Sequence, residues 1–164
     1  MRRRLSRETA AMTTSCHIAL HQLPELVGQE IAVTDWFEID QSRIDAFAKA
    51  TGDEQWIHVD PVRAAQGPFG KTVAHGFLTL SLLPALMHRN IEFIDMRMGI
   101  NYGLDRVRFV HPVTVGSRIR LRVVLHEVTA IDGGWQATED VTVEIEGVSK
   151  PACVARMLAR FFPN

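Results

Sequence analysis

The stretch Val73-Ala-His-Gly-Phe-Leu-Thr-Leu-Ser-Leu-Leu-Pro-Ala-Leu-Met87 decides the fold of this chain. Ala74, Phe77, Leu78, Leu80, Leu82, Leu83, Ala85 and Leu86 spread apolar side chains nearly all round the axis, so a helix here has no wet face and is expected to be buried on every side. Running the whole stretch it would be about 20 Å long, with Pro84 as a point of bending. A membrane span needs roughly 18 uninterrupted apolar residues, which this run does not reach. The material that surrounds the helix must therefore come from the rest of the chain.

That material reads as sheet. Past Gly99 the apolar period changes from helical to two. Ile119, Leu121, Val123 and Leu125 alternate with Arg118, Arg120 and Arg122, and Val141, Val143 and Ile145 alternate with Thr142, Glu144 and Glu146. Asp132-Gly133-Gly134 between the runs signals a hairpin turn. Pairing these strands sets the arginines against Glu144 and Glu146 on one solvent face, which accounts for the arginine row as cross-strand ion pairing rather than as a phosphate-binding patch. A last strand is expected over Cys153 to Phe162. Ahead of the buried helix, Ile31 to Ile39 alternates as a first strand. Ser42 is the expected N-cap of a helix carrying Ile44, Phe47, Ala48 and Thr51 on one side, with Gly52 as its C-cap. Asp60-Pro61 opens another short helix, with Asp60 as N-cap. The expected class is α+β, an antiparallel sheet lying against one long buried helix.

A length of 164 residues allows one domain whose core needs neither disulfide nor metal. The composition, 46% hydrophobic and 23% charged, excludes disorder, collagen and coiled coil. The net charge of -1 is unevenly spread: Arg2, Arg3, Arg4 and Arg7 with Glu8 give the start +3 and leave the remainder at -4. A nucleic-acid-binding domain has a basic body, not a basic tail on an acidic one. Residues 1–15 have no apolar signal core and no hydrophobic periodicity, so they are expected to form a disordered basic extension, with residues 16–164 as the domain. Cys16 and Cys153 lie at opposite ends without CxxC spacing, which argues against a disulfide framework or zinc site and for a reducing cytoplasmic compartment.

Ala65 to Thr72 ends in Gly-Lys-Thr but lacks the first glycine of a phosphate loop; a Pro-capped helix precedes it and Pro68 removes an amide, so it reads as a chance match. The informative stretch is Thr51-Gly-Asp53-Glu-Gln55-Trp-Ile57-His58-Val-Asp60-Pro61. Asp53 and His58 are five apart, in a segment that leaves one helix and approaches the next, and an irregular path can turn both toward one point. A carboxylate and an imidazole together can hold a water and move its proton near neutral pH. The same spacing also suits Asp53 capping turn amides and His58 packing beside Trp56. Ala74-His75-Gly76 opens the buried helix, where free amides at the positive end of the dipole can stabilise a developing oxyanion and Gly76 admits close approach. His17 and His21 near the basic start complete no metal set, and His88, His111 and His126 read as surface or loop residues, so no metal site is expected.

Taken in order, the run F-A-x-x-T-G-D-x-x-x-x-H-x-D from Phe47, the A-H-G that follows, and Ile100-Asn-Tyr-Gly103-Leu-Asp105-Arg-Val-Arg108-Phe closely resemble the MaoC-like dehydratases, (R)-specific enoyl-CoA hydratases of the hot-dog fold. The likeness extends from about Leu26 to Phe161 and is marked toward the nodulation-protein N-like branch. The resemblance implies a five-stranded antiparallel sheet wrapped around Val73 to Met87 as the central helix. It places the family's catalytic pair on Asp53 and His58, and its thioester-binding amide on Gly76. Gln55-Trp56 replaces the Asn-Pro of many members, and Pro84 replaces a serine, leaving Ser81 one turn earlier. Gln55, His75, Asn101, Tyr102 and Arg108 become candidates for substrate binding. The implied activity is reversible hydration of a trans-2-enoyl thioester of coenzyme A or acyl carrier protein to the (R)-3-hydroxyacyl form, with no cofactor, nucleic acid or membrane, in a homodimer. The alternatives on the same fold are an acyl-CoA thioesterase and a non-catalytic acyl-thioester-binding subunit.

Overall fold

The computed structural model describes residues 16–164, and the extension expected over residues 1–15 lies outside the described residues. Five strand positions form the main sheet in the order β2 (Glu30–Val33), β6 (Arg118–Ile131), β7 (Gly134–Ile145), β8 (Val148–Pro163) and β5 (Met96–Phe109), with antiparallel pairing throughout. The alternating pattern sorts the two faces as expected. Ile119, Leu121, Val123 and Leu125 are wholly buried on the inner face. On the outer face Arg118 pairs with Glu146 at 3.1 Å, and Arg120 and Arg122 share Glu144 at 2.6 and 3.0 Å. The hairpin turns at Gly133, whose φ of 71° no β-branched residue would tolerate cheaply.

The expected first strand is broken in two, β2 and β3 (Phe37–Glu38), both paired with β6. The cause is Thr34, a buried residue between them. Its N–H donates to the Leu121 carbonyl at 2.9 Å and its hydroxyl accepts from the Leu121 N–H at 2.9 Å, so a side chain takes over one rung of the ladder. Near the start, β1 (Cys16–Ile18) pairs in parallel with β4 (Ile91–Phe93), and a 3-10 segment, Leu20–Leu26, buries Leu20 and Leu23 against the core.

Helix α1 spans Gln41–Thr51, and its N-cap is Asp40 rather than Ser42. Both side chains can cap, but the Asp40 carboxylate accepts from the Arg43 N–H at 2.8 Å and from the Ser42 hydroxyl at 2.8 Å, which holds its pKa below the usual carboxylate value. Gly52 ends the helix as expected, left-handed at φ 77° and donating to the Ala48 carbonyl at 2.8 Å. Short helices α2 (Trp56–Val59) and α3 (Pro61–Ala65) follow, and Asp60 caps α3 through the Arg63 N–H at 3.0 Å.

The central helix is present but shorter and less enclosed than its sequence suggests. Val73 to His75 are extended, with the Ala74 N–H donating to the Val113 carbonyl at 2.8 Å. Two short helices then run as α4 (Gly76–Ser81) and α5 (Leu83–His88), meeting at Leu82, close to where Pro84 withholds a backbone donor. Leu78, Leu82, Leu83, Leu86 and Met87 are buried in the core. The opposite side, with Phe77 at 67% exposure and Ser81, Ala85 and His88 exposed, stands open. A sheet from one chain covers one side of a helix, so burial on every side fails within a single chain. Among the described residues no helix is long and apolar enough to cross a membrane.

Candidate active site

The αL turn at Gly52 throws the chain out of α1, and the Asp53 N–H is tethered to the Thr51 hydroxyl at 3.4 Å. Helix α2 then brings His58 inward, to 7% exposure. Three bonds fix it there. The Val73 N–H donates to the Ile57 carbonyl at 3.0 Å, the Gln41 side-chain amide donates to the His58 carbonyl at 2.8 Å, and His58 Nδ1 donates to the Val73 carbonyl at 2.6 Å. A carbonyl can only accept, so the proton of neutral His58 sits on Nδ1 and Nε2 is left with a lone pair. Burial lowers the His58 pKa, opposed by the Val73 bond, and His75 adds to the lowering while Asp53 raises it. His58 is thus a neutral base at pH 7.

His75, the residue before α4, is 3% exposed and stacks on His58 with ring centroids 3.7 Å apart. Its Nε2 donates to the Asp53 backbone carbonyl at 2.9 Å, so its Nδ1 carries the lone pair; that atom is buried with no partner among the described residues. A carboxylate oxygen of Asp53 and one ring nitrogen from each of His58 and His75 lie within 4.8 Å of one another. These are the ligand types a transition metal takes, and equally groups among which a water can be hydrogen-bonded.

Gly76 opens α4, so its N–H is among those without an intrahelical partner. A Cβ there would lie 2.8 Å from the Phe109 ring, which makes glycine a packing requirement. Gly76 lines a pocket of about 240 Å³ with Ala74, Thr79, Phe109 and Val113.

The fold also matches in sequence. Residues 22–147 match the family described as "MaoC like domain". The chain belongs to that family. It is 51% identical over 140 residues to 3-hydroxyacyl-thioester dehydratase Z of Mycobacterium tuberculosis, covering 85% of this chain and 93% of that one. It is 48% identical over 152 residues to nodulation protein N of Rhizobium leguminosarum bv. viciae, covering 90% and 94%. Among solved structures, the (R)-hydratase from A. caviae involved in PHA biosynthesis aligns with a TM-score of 0.66 and 27% identity over 84% of this chain and 96% of that chain. The architecture is the hot-dog fold.

Within this MaoC-like domain the remaining candidates are spread out. Gln55 is exposed at the entrance to α2 and its carbonyl accepts from the His58 N–H at 2.9 Å. Asn101 and Tyr102, on β5, line a groove of about 390 Å³ with Leu80, Ser81 and Pro84 of the central helix, and the Arg160 guanidinium lies 3.4 Å from the Tyr102 ring centroid. Ser81 back-bonds to the Phe77 carbonyl at 2.6 Å beside that groove. Arg108 lies elsewhere: it opposes Val154, which opposes Thr142, on the outward phase of the sheet, and it lines an outer groove with Arg106 and Arg156. One residue escaped the sequence reading. Glu139 is wholly buried on the inner face of β7, opposite Leu125 and Met157. Extending the alternation of Val141, Val143 and Ile145 two residues back finds it.

Proposed function

We propose that the protein catalyses reversible hydration of a trans-2-enoyl thioester to the (R)-3-hydroxyacyl thioester. The observation that carries this reading is the Asp53 carboxylate beside a His58 whose tautomer is locked by Val73, leaving Nε2 as an acceptor. A water gives one hydrogen bond to Asp53 and one to His58 Nε2, which leaves an oxygen lone pair for the substrate. As that oxygen bonds to Cβ, Nε2 takes the proton, the Cα–Cβ double bond opens toward the thioester, and the proton is then returned to Cα. The substrate's thioester oxygen, negative while this happens, is held by the Gly76 N–H at the start of α4. His75 keeps Asp53 in place through its backbone carbonyl, and Gln55 borders the approach. No cofactor enters the scheme. The names of the relatives support the reaction class, since one is a hydroxyacyl-thioester dehydratase and a structural neighbour is an (R)-hydratase.

A second copy of the chain belongs to this reading. Strand β5 ends the sheet with one edge that no strand among the described residues pairs, and it exposes Met98, Ile100, Tyr102, Leu104 and Phe109 beside the open Phe77 face of the central helix. A long, apolar, unpaired edge is a pairing site, and a homodimer through β5 would cover it and roof the groove. Both cysteines are unpaired, which suits a reducing cytoplasm. Hydration of crotonyl-CoA, followed by loss of enoyl-thioester absorbance in wild type and in Asp53→Asn and His58→Asn, tests the reading. Full activity in both variants rejects it.

A further inference from the structure

The two oxygens of Glu139 are buried and have no hydrogen-bond partner among the described residues. Leaving a carboxyl in that condition is costly, and an apolar residue of similar size would pack there without that cost. The sequence nevertheless puts a glutamate at the inward phase, between Ala137 and Val141, where the alternation calls for an apolar side chain. Such a group has a use if something reaches it.

The surroundings supply a route. Glu139 lines a small cavity of about 30 Å³ under helix α5 with Met87, Phe93, Asn101, Met157 and Phe161. Pro84, Asn101 and Met157 line both this cavity and the 390 Å³ groove beside the central helix, so the cavity lies at the inner end of the groove. The groove runs along the end of α4, the helix that begins at Gly76, and onto the start of α5. From Gly76 to Pro84 is eight residues, about 12 Å of helix rise, beyond the reach of a four-carbon acyl chain.

We propose that Glu139 ends the acyl channel and binds a hydroxyl or carbonyl oxygen carried near the far end of a medium-length acyl chain. This rests on the enoyl-thioester reading, which sets the chain's direction from Gly76 toward Glu139. Burial pushes the Glu139 pKa up to about 7, so near neutrality its carboxyl is in good part protonated and can donate as well as accept. His88 also lines the cavity from α5, and Asn101 stands where groove and cavity meet, adding an amide to the polar end of an otherwise apolar channel. The competing occupant is water, for which the cavity has room for about one or two molecules.

The test is binding of saturated CoA thioesters of hexanoic, octanoic and decanoic acid against the same chains bearing a terminal hydroxyl, by calorimetry, on wild type, Glu139→Gln and Glu139→Leu. At one chain length the hydroxylated thioester should bind wild type about tenfold more tightly than the plain one. Glu139→Gln should keep most of that preference and Glu139→Leu should reverse it, with a thermal midpoint no lower than wild type showing that the Leu variant is folded. Equal or undetectable binding of every pair to wild type, or a preference that survives in Glu139→Leu, overturns the proposal and leaves the cavity to water. Crotonyl-CoA turnover by wild type is measured alongside. Turnover without chain-end preference rejects this inference alone, whereas chain-end preference without turnover supports the channel and rejects the hydratase reading.

Discussion

The imidazole of His75 lies on that of His58, centroids 3.7 Å apart and planes 22° from parallel, and the two rings are oriented by different backbone carbonyls. His58 donates to Val73 and His75 donates to Asp53. The stack therefore ties the base to the segment carrying the carboxylate. His75→Phe keeps a ring to stack on and removes the orphaned Nδ1, but it leaves the Asp53 carbonyl without its donor. Thermal stability should stay near wild type while kcat for hydration falls at least about tenfold with little change in KM, the pattern of a positioning residue. Wild-type kinetics in His75→Phe would remove the histidine from the mechanism.

The pH profile follows from the direction of the His58 shift. Burial lowers its pKa below 6.5, so the neutral base persists into more acidic solution than a free histidine would. With kcat/KM followed from pH 5 to pH 9, the acid limb should fall below pH 6.5, with a plateau through neutrality. The stability linkage has the same sign, because a histidine buried neutral stabilises the fold above its unfolded pKa and loses that contribution as pH falls. An acid limb centred above pH 7 would contradict the burial argument.

Glu139 acts in the opposite sense. Its pKa is raised from 4.5 to about 7, so the folded state holds its proton where the unfolded chain has lost it. Stability from this group is complete below pH 4.5 and drains away as pH rises through about 7, at up to roughly 1.4 kcal/mol per pH unit. Glu139→Gln should raise the thermal midpoint at pH 8 and lose that advantage near pH 4.5. A constant difference between the two proteins across this range would show that the carboxyl ionises freely in the fold.

Placing charge on the exposed edge of β5 tests the proposed homodimer. Met98 and Ile100 are 43% and 41% exposed on β5, so Met98→Lys with Ile100→Lys costs a lone protomer little. Sedimentation should shift wild-type dimer to monomer in the double variant, with crotonyl-CoA hydration lost in step. A wild type that sediments as a monomer at micromolar concentration would refute the pairing.

The sequence makes legible whatever depends on local periodicity or local spacing. The hairpin and its arginine–glutamate ladder follow from alternation, and the Gly52 and Asp60 caps from residue type. The Asp53–His58 pair was legible as a spacing, but its meaning depends on Val73 and Gln41, which lie 15 and 17 residues from His58 and bond to it only in the folded chain. Asp40 and Ser42 compete for one cap, and composition does not rank them. The apolar run from Val73 to Met87 reports that its faces must be covered, not which chain covers them. Phe77 is the residue that shows the difference. Glu139 was legible in phase, but an acidic residue beside an outward Asp140 reads as surface until the strand's start is known.

The most direct measurement follows crotonyl-CoA with wild type, Asp53→Asn and His58→Asn side by side, recording enoyl-thioester absorbance, free thiol and the stereochemistry of the product. Wild type should consume the enoyl band, release no thiol and form (R)-3-hydroxybutyryl-CoA, with both variants slowed by about 10² to 10⁴-fold while remaining folded. Undiminished hydration in both variants, or thiol release in place of hydration, would contradict the assignment of Asp53 and His58 as the pair that activates water.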